Sequence, residues 1–127
     1  MRKTRKPTIR FLNLIDDASM RVEFVEAEQL VKRVARRELP NLIDVREYRE
    51  FLNSHIEHSK HISRGVLERD VEFHYPDLTV EVIVYCSDGL RGILAGDTLL
   101  NMGYSNVKVL RGGFEAWKQA GGKICLA

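Results

Sequence analysis

An α/β fold built on a mostly parallel sheet is what this sequence predicts, and three observations carry the prediction. Short runs rich in valine, isoleucine and leucine alternate with segments whose apolar residues recur at helical spacing. The run "VEVIVY" at 80–85 is valine-rich and bounded by turn signals, as a central parallel strand should be. Gly103 follows the helical pattern at 91–102, the position where a helix end favours glycine. At 127 residues the chain is long enough for one core and too short for two.

The elements follow in order. "MRVEFVE" alternates well enough for a short strand, with Val22, Phe24 and Val25 facing inward. Residues 27–39 carry Ala27, Leu30, Val31, Val34 and Ala35 on one helical stripe. "LPNLIDV" reads as a turn into a buried strand at 42–45, and "REYREFLNS" as a brief helix with Tyr48, Phe51 and Leu52 inward. A short strand at 61–63 precedes a helix at 64–74, which must stop before Pro76. The helix at 91–102 offers Ile93, Leu94, Leu99 and Leu100 to the sheet. "NVKVL" is a further strand, and "GGFEAWKQAGG" a last helix anchored in the core by Phe114 and Trp117. In such folds a site is expected at the carboxyl ends of the strands, and Cys86 lies at one.

With 44% apolar and 30% charged residues, the chain falls among soluble globular proteins, and no apolar run could span a bilayer. Two cysteines, Cys86 and Cys125, make no disulfide framework. The start "MRKTRKPTIR" lacks the apolar stretch of a secretory leader, so a reducing cytoplasm is the expected location. Five of the 20 basic residues (Arg2, Lys3, Arg5, Lys6 and Arg10) fall in the first ten positions, leaving a mildly acidic body. Residues 1–20 are therefore expected to be a basic extension, partly disordered or a short strand, ahead of a domain at 21–127. No aromatic residue is interleaved with those charges, so nucleic-acid binding is not expected, and without a spanning apolar run neither is a membrane partner.

The chemistry concentrates in "YCSDGLRG". A thiol is a nucleophile only as its thiolate, and free cysteine has a pKa of about 8.5. Ending a strand at Cys86 and starting a helix near Arg91 aims backbone N–H groups at the sulfur, where they favour an anion. Gly89 supplies the freedom a tight loop needs to curl its amides toward one point. Arg91 adds a positive charge. Dithiol redox chemistry would want a second cysteine three residues on, and that position is Gly89. Phosphoryl or arsenate chemistry wraps a tetrahedral oxyanion with five residues between cysteine and arginine. Here there are four (Ser87, Asp88, Gly89 and Leu90), a loop suited to a smaller group such as one extra sulfur.

At these residues the chain resembles the rhodanese family of sulfurtransferases. "LIDVREYREFLNSHI" is similar to the family's first signature, "YCSDGLRG" to its Cys-x-x-Gly-x-Arg active-site loop, and "MGYSNVKVLRGGFEAWKQAGG" to its closing signature. The resemblance runs over roughly residues 22–122, with the three motifs in the family's order. It implies a rhodanese-like three-layer α/β/α domain with a central, mostly parallel five-stranded sheet. It implies that Cys86 takes sulfur from a donor such as thiosulfate or a polysulfide, becomes a persulfide, and passes the sulfur to cyanide or a thiol. Backbone amides from Ser87 to Gly92 would hold the persulfide, and Arg91 would support the loop or the substrate anion. No metal or organic cofactor is implied. A sulfur-relay protein is an expected partner, and the chain is expected to be a monomer or homodimer. Two rival readings are a non-catalytic or redox-sensing rhodanese module, and a cysteine-dependent phosphatase or arsenate reductase on the same fold.

Three departures from the family pattern bear on function. Asp88 stands where basic or neutral residues are common, and its carboxylate should repel a dianionic donor and oppose thiolate formation. Thiosulfate is therefore expected to be a poor substrate beside a protein persulfide or another thiol-borne donor. Gly92 replaces a common hydroxyl residue after the arginine. "SHIEHSKHI" brings in His58 and His61 beside His55, three apart; with His74 they are expected to be surface groups, with a packing role for His55, not a zinc site. Asp44 and Arg46 admit two readings: Arg46 at the site mouth attracting an anionic donor, or a salt-bridged pair fixing the loop after a strand. Arg64 and Arg111 are further candidates for the mouth. Cys125, near the chain's end, is expected to lie in a mobile segment, from which it could reach the Cys86 persulfide.

Overall fold

The computed structural model describes residues 5–126; Arg2 and Lys3 of the basic start lie outside them. The first half of the chain forms α1 (Ile9–Ser19), β1 (Glu23–Val25), α2 (Ala27–Ala35), β2 (Asn41–Asp44), α3 (Tyr48–Asn53), β3 (Ser54–Ile56) and β4 (Lys60–His61). A 3-10 turn (Arg64–Val66) leads into α4 (Leu67–His74). Then come β5 (Val82–Tyr85), α5 (Leu90–Asn101), β6 (Val107–Leu110), α6 (Gly113–Gln119) and β7 (Ile124–Leu126). No described helix is long and apolar enough to cross a membrane.

Five strands make one sheet in the order β1-β6-β5-β2-β4, with every pairing parallel. Because side chains alternate across a strand, β5 divides its residues between two cores. Val82, Val84 and Cys86 face one core with Ile15, Leu67, Val71, Ala95 and Leu99, which come from α1, α4 and α5. Ile83 and Tyr85 face the other with Leu30, Phe114 and Trp117, from α2 and α6. The three-layer arrangement follows from that division, and it leaves β5 in the centre with its carboxyl end at Cys86.

The start of the chain differs from the expected frayed tail or strand. Thr8 caps α1 by accepting from Phe11 N at 3.2 Å, and Ile15 and Ala18 enter the core while Phe11 packs against it. The spacing of Phe11, Ile15 and Ala18 is that of one helical face, which the neighbouring basic residues obscure. Arg21 ties the helix to the body through Asp17 at 2.9 Å and Asp97 of α5 at 2.7 Å. Ile15→Ala is accordingly expected to cost about 2–4 kcal/mol in urea unfolding while leaving the alkylation rate of Cys86 unchanged.

Other differences are local. Helix α2 stops at Ala35 because Arg37 adopts a left-handed conformation (φ 64°). No residue of α3 is buried: Tyr48 and Leu52 are largely exposed, and Tyr48 and Phe51 meet the rings of His55 and His61 instead of the core. The strand expected at 61–63 is the shorter β4, whose pairing with β2 ends at Asp44 and His61. Beyond the main sheet, β3 and β7 form an antiparallel ribbon that places His55 opposite Cys125. The segment expected to be mobile is therefore a paired strand, and Cys125 is half-buried within it.

Candidate active site

Strand β5 ends at Tyr85 and α5 begins at Leu90, so Cys86 to Gly89 form the whole connection. The Sγ of Cys86 accepts hydrogen bonds from Gly89 N and Gly92 N, both at 3.2 Å. Two amides from the first turns of one helix thus converge on the sulfur. Gly89 makes this geometry accessible: its φ is +97°, and a Cβ there would lie 2.9 Å from Gly112 N. At Gly92 a Cβ would meet only ordinary contacts, the nearest at 3.5 Å, so the missing hydroxyl of that position is not a steric requirement.

The charge balance around Cys86 differs from the sequence expectation of a favoured thiolate. Cys86 is 1% exposed, and burial pushes its thiol above the ordinary value. The amides of Gly92 and Gly89 oppose that push, the Asp88 carboxylate adds to it, and Arg91 offsets it in part. Alkylation of Cys86 by iodoacetamide should therefore rise with pH to beyond the range where a free thiol levels off. Asp88→Asn should move that rise to lower pH, because it removes a negative charge that disfavours the thiolate.

Asp88 itself is exposed, yet its Oδ1 accepts from the Cys86 thiol at 3.7 Å and from Leu90 N at 3.1 Å. Arg91 turns toward α3, with Nη1 3.9 Å from Glu47 and Nη2 3.7 Å from Glu50. Ser87 Oγ donates to the same Glu50 at 3.1 Å. The positive charge that Arg91 was expected to bring to the loop is thus shared with two carboxylates. Beside the loop runs a groove of about 640 Å³ whose lining includes Arg46, Arg49, Glu50, Ser87, Phe114 and Lys118.

The loop's support comes from a stretch whose role the sequence did not disclose. Phe114 N donates to Cys86 O at 2.8 Å and Glu115 N to Ser87 O at 3.1 Å, so the first amides of α6 hold the loop's carbonyls. Gly113 (φ +61°) sits against Cys86 O, Gly89 N and Ser87 O, leaving no room for a side chain. The available signal was the Gly112-Gly113 pair at the start of α6, within the closing signature.

The remaining candidates are dispersed. Arg46 is 4% exposed and grips the fully buried Asp44 through Nε at 3.1 Å and Nη2 at 2.8 Å. Nη2 also donates to Ser54 O at 2.6 Å, and the guanidinium lies 4.5 Å over the Phe114 ring. The pair therefore fixes the turn after β2, and Arg46 reaches the groove only as part of its wall. Arg64 directs its guanidinium to Glu68 at 3.4 Å and to Thr98 at 3.3 Å, about 10 Å along α5 from Arg91. Arg111 pairs with Glu26 at 2.8 Å over Phe24.

His55 stacks on Phe51 at 3.8 Å with Nδ1 2.9 Å from Phe51 O, while His61 Nε2 lies 2.7 Å from Arg46 O. His58 is exposed beside Glu57. Among the described residues no three histidine, cysteine or acidic side chains are gathered as metal ligands would be.

Comparison with known proteins adds a family to this geometry. Residues 26–120 match the model of the rhodanese-like domain. The thiosulfate sulfurtransferase GlpE of Coxiella burnetii (strain RSA 331 / Henzerling II) is 32% identical over 97 residues, covering 76% of this chain and 85% of that protein. The GlpE of Stutzerimonas stutzeri (strain A1501) is 35% identical over 77 residues, 61% of this chain and 69% of its own length. A solved structure from Rhodopseudomonas palustris CGA009, described as a protein of unknown function and possible tyrosine phosphatase, superposes with a TM-score of 0.79. It is 26% identical, over 98% of this chain and 99% of that one. A parallel five-stranded sheet, a Cys-x-x-Gly-x-Arg loop at the end of its central strand and these matches agree: the chain belongs to the rhodanese-like domain family.

Proposed function

We propose that this protein is a sulfurtransferase in which Cys86 carries a sulfane sulfur as a persulfide between a donor and a thiophilic acceptor. The observation that carries the reading is the convergence of Gly89 N and Gly92 N on Cys86 Sγ within a loop of four intervening residues. Such a pocket can hold a terminal persulfide anion by hydrogen bonds. Donors are thiosulfate or polysulfide and thiol-borne persulfides. Acceptors are cyanide in the assay and thiols otherwise, a sulfur-relay protein among them. Asp88, Glu47 and Glu50 at the mouth favour donors of low negative charge, so thiosulfate turnover is slow. The names of the Coxiella and Stutzerimonas relatives support transfer from thiosulfate as the class of reaction.

The cycle is ping-pong: the donor leaves before the acceptor binds. Initial rates against thiosulfate at several cyanide concentrations should give parallel double-reciprocal lines, and Cys86→Ser should fall to the uncatalysed background. Intersecting lines, or turnover retained without Cys86, would refute it.

The phosphatase description of the Rhodopseudomonas neighbour favours a second reading. It asks Arg91 to clasp a phosphate, whereas the guanidinium faces Glu47 and Glu50. Hydrolysis of p-nitrophenyl phosphate dependent on Cys86 would decide for that reading.

A further inference from the structure

The buried nucleophile has one exposed ionisable neighbour. Cys86 is 1% exposed, and among the described residues its sulfur meets two backbone amides and a single titratable group, the Asp88 carboxylate at 3.7 Å. Leu90 N pins that same oxygen at 3.1 Å, so the carboxylate is held facing the sulfur while its residue remains open to solvent. The other carboxylates nearby are occupied: Glu50 accepts from Ser87 and faces Arg91, and Glu47 also faces Arg91. Asp88 is therefore placed as the bridge between the enclosed thiol proton and whatever enters the mouth.

Resting on the persulfide reading above, we propose that Asp88 is a catalytic proton acceptor and donor that fits the site to organic persulfides, R–S–SH, in preference to thiosulfate. In the first half-reaction the Cys86 proton passes to Asp88 Oδ1. The thiolate attacks the outer sulfur of R–S–SH and forms the Sγ–S bond. The R–S to S bond breaks, and its electron pair leaves on R–S⁻. Asp88 returns the proton to that thiolate, releasing R–SH and leaving Cys86–S–SH with Asp88 ionised again. No oxidant or reductant is consumed.

A thiol leaving group needs this proton because its pKa is near 8.5, and a basic thiolate leaves slowly. Thiosulfate releases sulfite, a much weaker base that needs no proton. For that donor Asp88 contributes only repulsion of a dianion. One carboxylate thus acts in opposite senses on the two donors.

Asp88→Asn tests this, since the amide oxygen still accepts from Leu90 N and preserves the loop but takes up no proton. The readout is the single-turnover rate of sulfur addition to Cys86, followed by mass spectrometry with glutathione persulfide and with thiosulfate. The variant should lose on the order of a hundredfold with glutathione persulfide. It should gain roughly three- to tenfold with thiosulfate. The loss should grow across a series of persulfides as the leaving thiol becomes more basic, a trend that a merely structural role would not produce. A change in the same direction for both donors, or an unchanged rate with glutathione persulfide, would overturn the proposal. If the unaltered protein gains sulfur from neither donor, the persulfide reading itself falls, and this proposal with it.

Discussion

Arg46→Ala is expected to lose about 3–5 kcal/mol of folding stability, measured by urea denaturation. The reason is what the substitution leaves behind. Asp44 is fully buried, and Arg46 supplies both its charge partner and most of its hydrogen bonds; among the described residues the Arg46 backbone N at 2.9 Å is the one hydrogen-bond donor that would remain. An unpaired carboxylate in that position is among the costly defects a core can hold. Removing Arg46 also frees Ser54 O and uncovers one face of the Phe114 ring, loosening β3 and the start of α6 together. Since domains of this size are stable by only about 5–15 kcal/mol, the loss is a large fraction of the total. A double substitution, Asp44→Asn with Arg46→Met, should recover part of it, because the buried charge is gone. Equal destabilisation by the single and double variants would contradict this account.

Gly113→Ala should damage both stability and catalysis. A methyl group at φ +61° would press on Cys86 O, on Gly89 N at 2.8 Å and on Ser87 O at 2.9 Å, all of them backbone atoms with nowhere to retreat. The cost should be about 2–4 kcal/mol, from the strained backbone plus the collision. Displacing the carbonyls of Cys86 and Ser87 would also tilt the Gly89 and Gly92 amides away from the sulfur, and sulfur transfer should fall on the order of a hundredfold. Gly121→Ala provides the control. Its φ is +82°, but a Cβ there meets nothing within 4 Å. It should cost only about 1 kcal/mol and leave activity intact, separating backbone strain from close approach.

Much of the architecture was legible because β5 is apolar at every position. Val82, Val84 and Cys86 on one side, and Ile83 and Tyr85 on the other, require a sheet covered on both faces. The active-site loop was legible for a similar local reason: strand, cysteine, glycine, arginine and helix follow within a few residues. What escaped detection depends on partners distant in sequence. The pairing of β3 with β7 joins three-residue strands whose register neither strand specifies alone. Gly113 supports Cys86 across the fold; the Gly112-Gly113 pair signals a tight backbone there, but nothing beside it in sequence names Cys86 as the partner. Helix α1 is a different case. Its apolar face was present in Phe11, Ile15 and Ala18, but the basic residues before it resembled a solvated tail. Arg91 was read as a free positive charge because the sequence could not show that α3 brings Glu47 and Glu50 to meet it.

Whether Cys86 carries the transferred sulfur is read out by intact and peptide mass spectrometry after brief exposure to a sulfane sulfur donor. The predicted result is a gain of about 32 Da, one sulfur, confined to the peptide containing Cys86. It should be removed by cyanide and absent from Cys86→Ser. Donor turnover with Cys86 unmodified, or a gain of sulfur on Cys125 instead, would show that Cys86 is not the carrier.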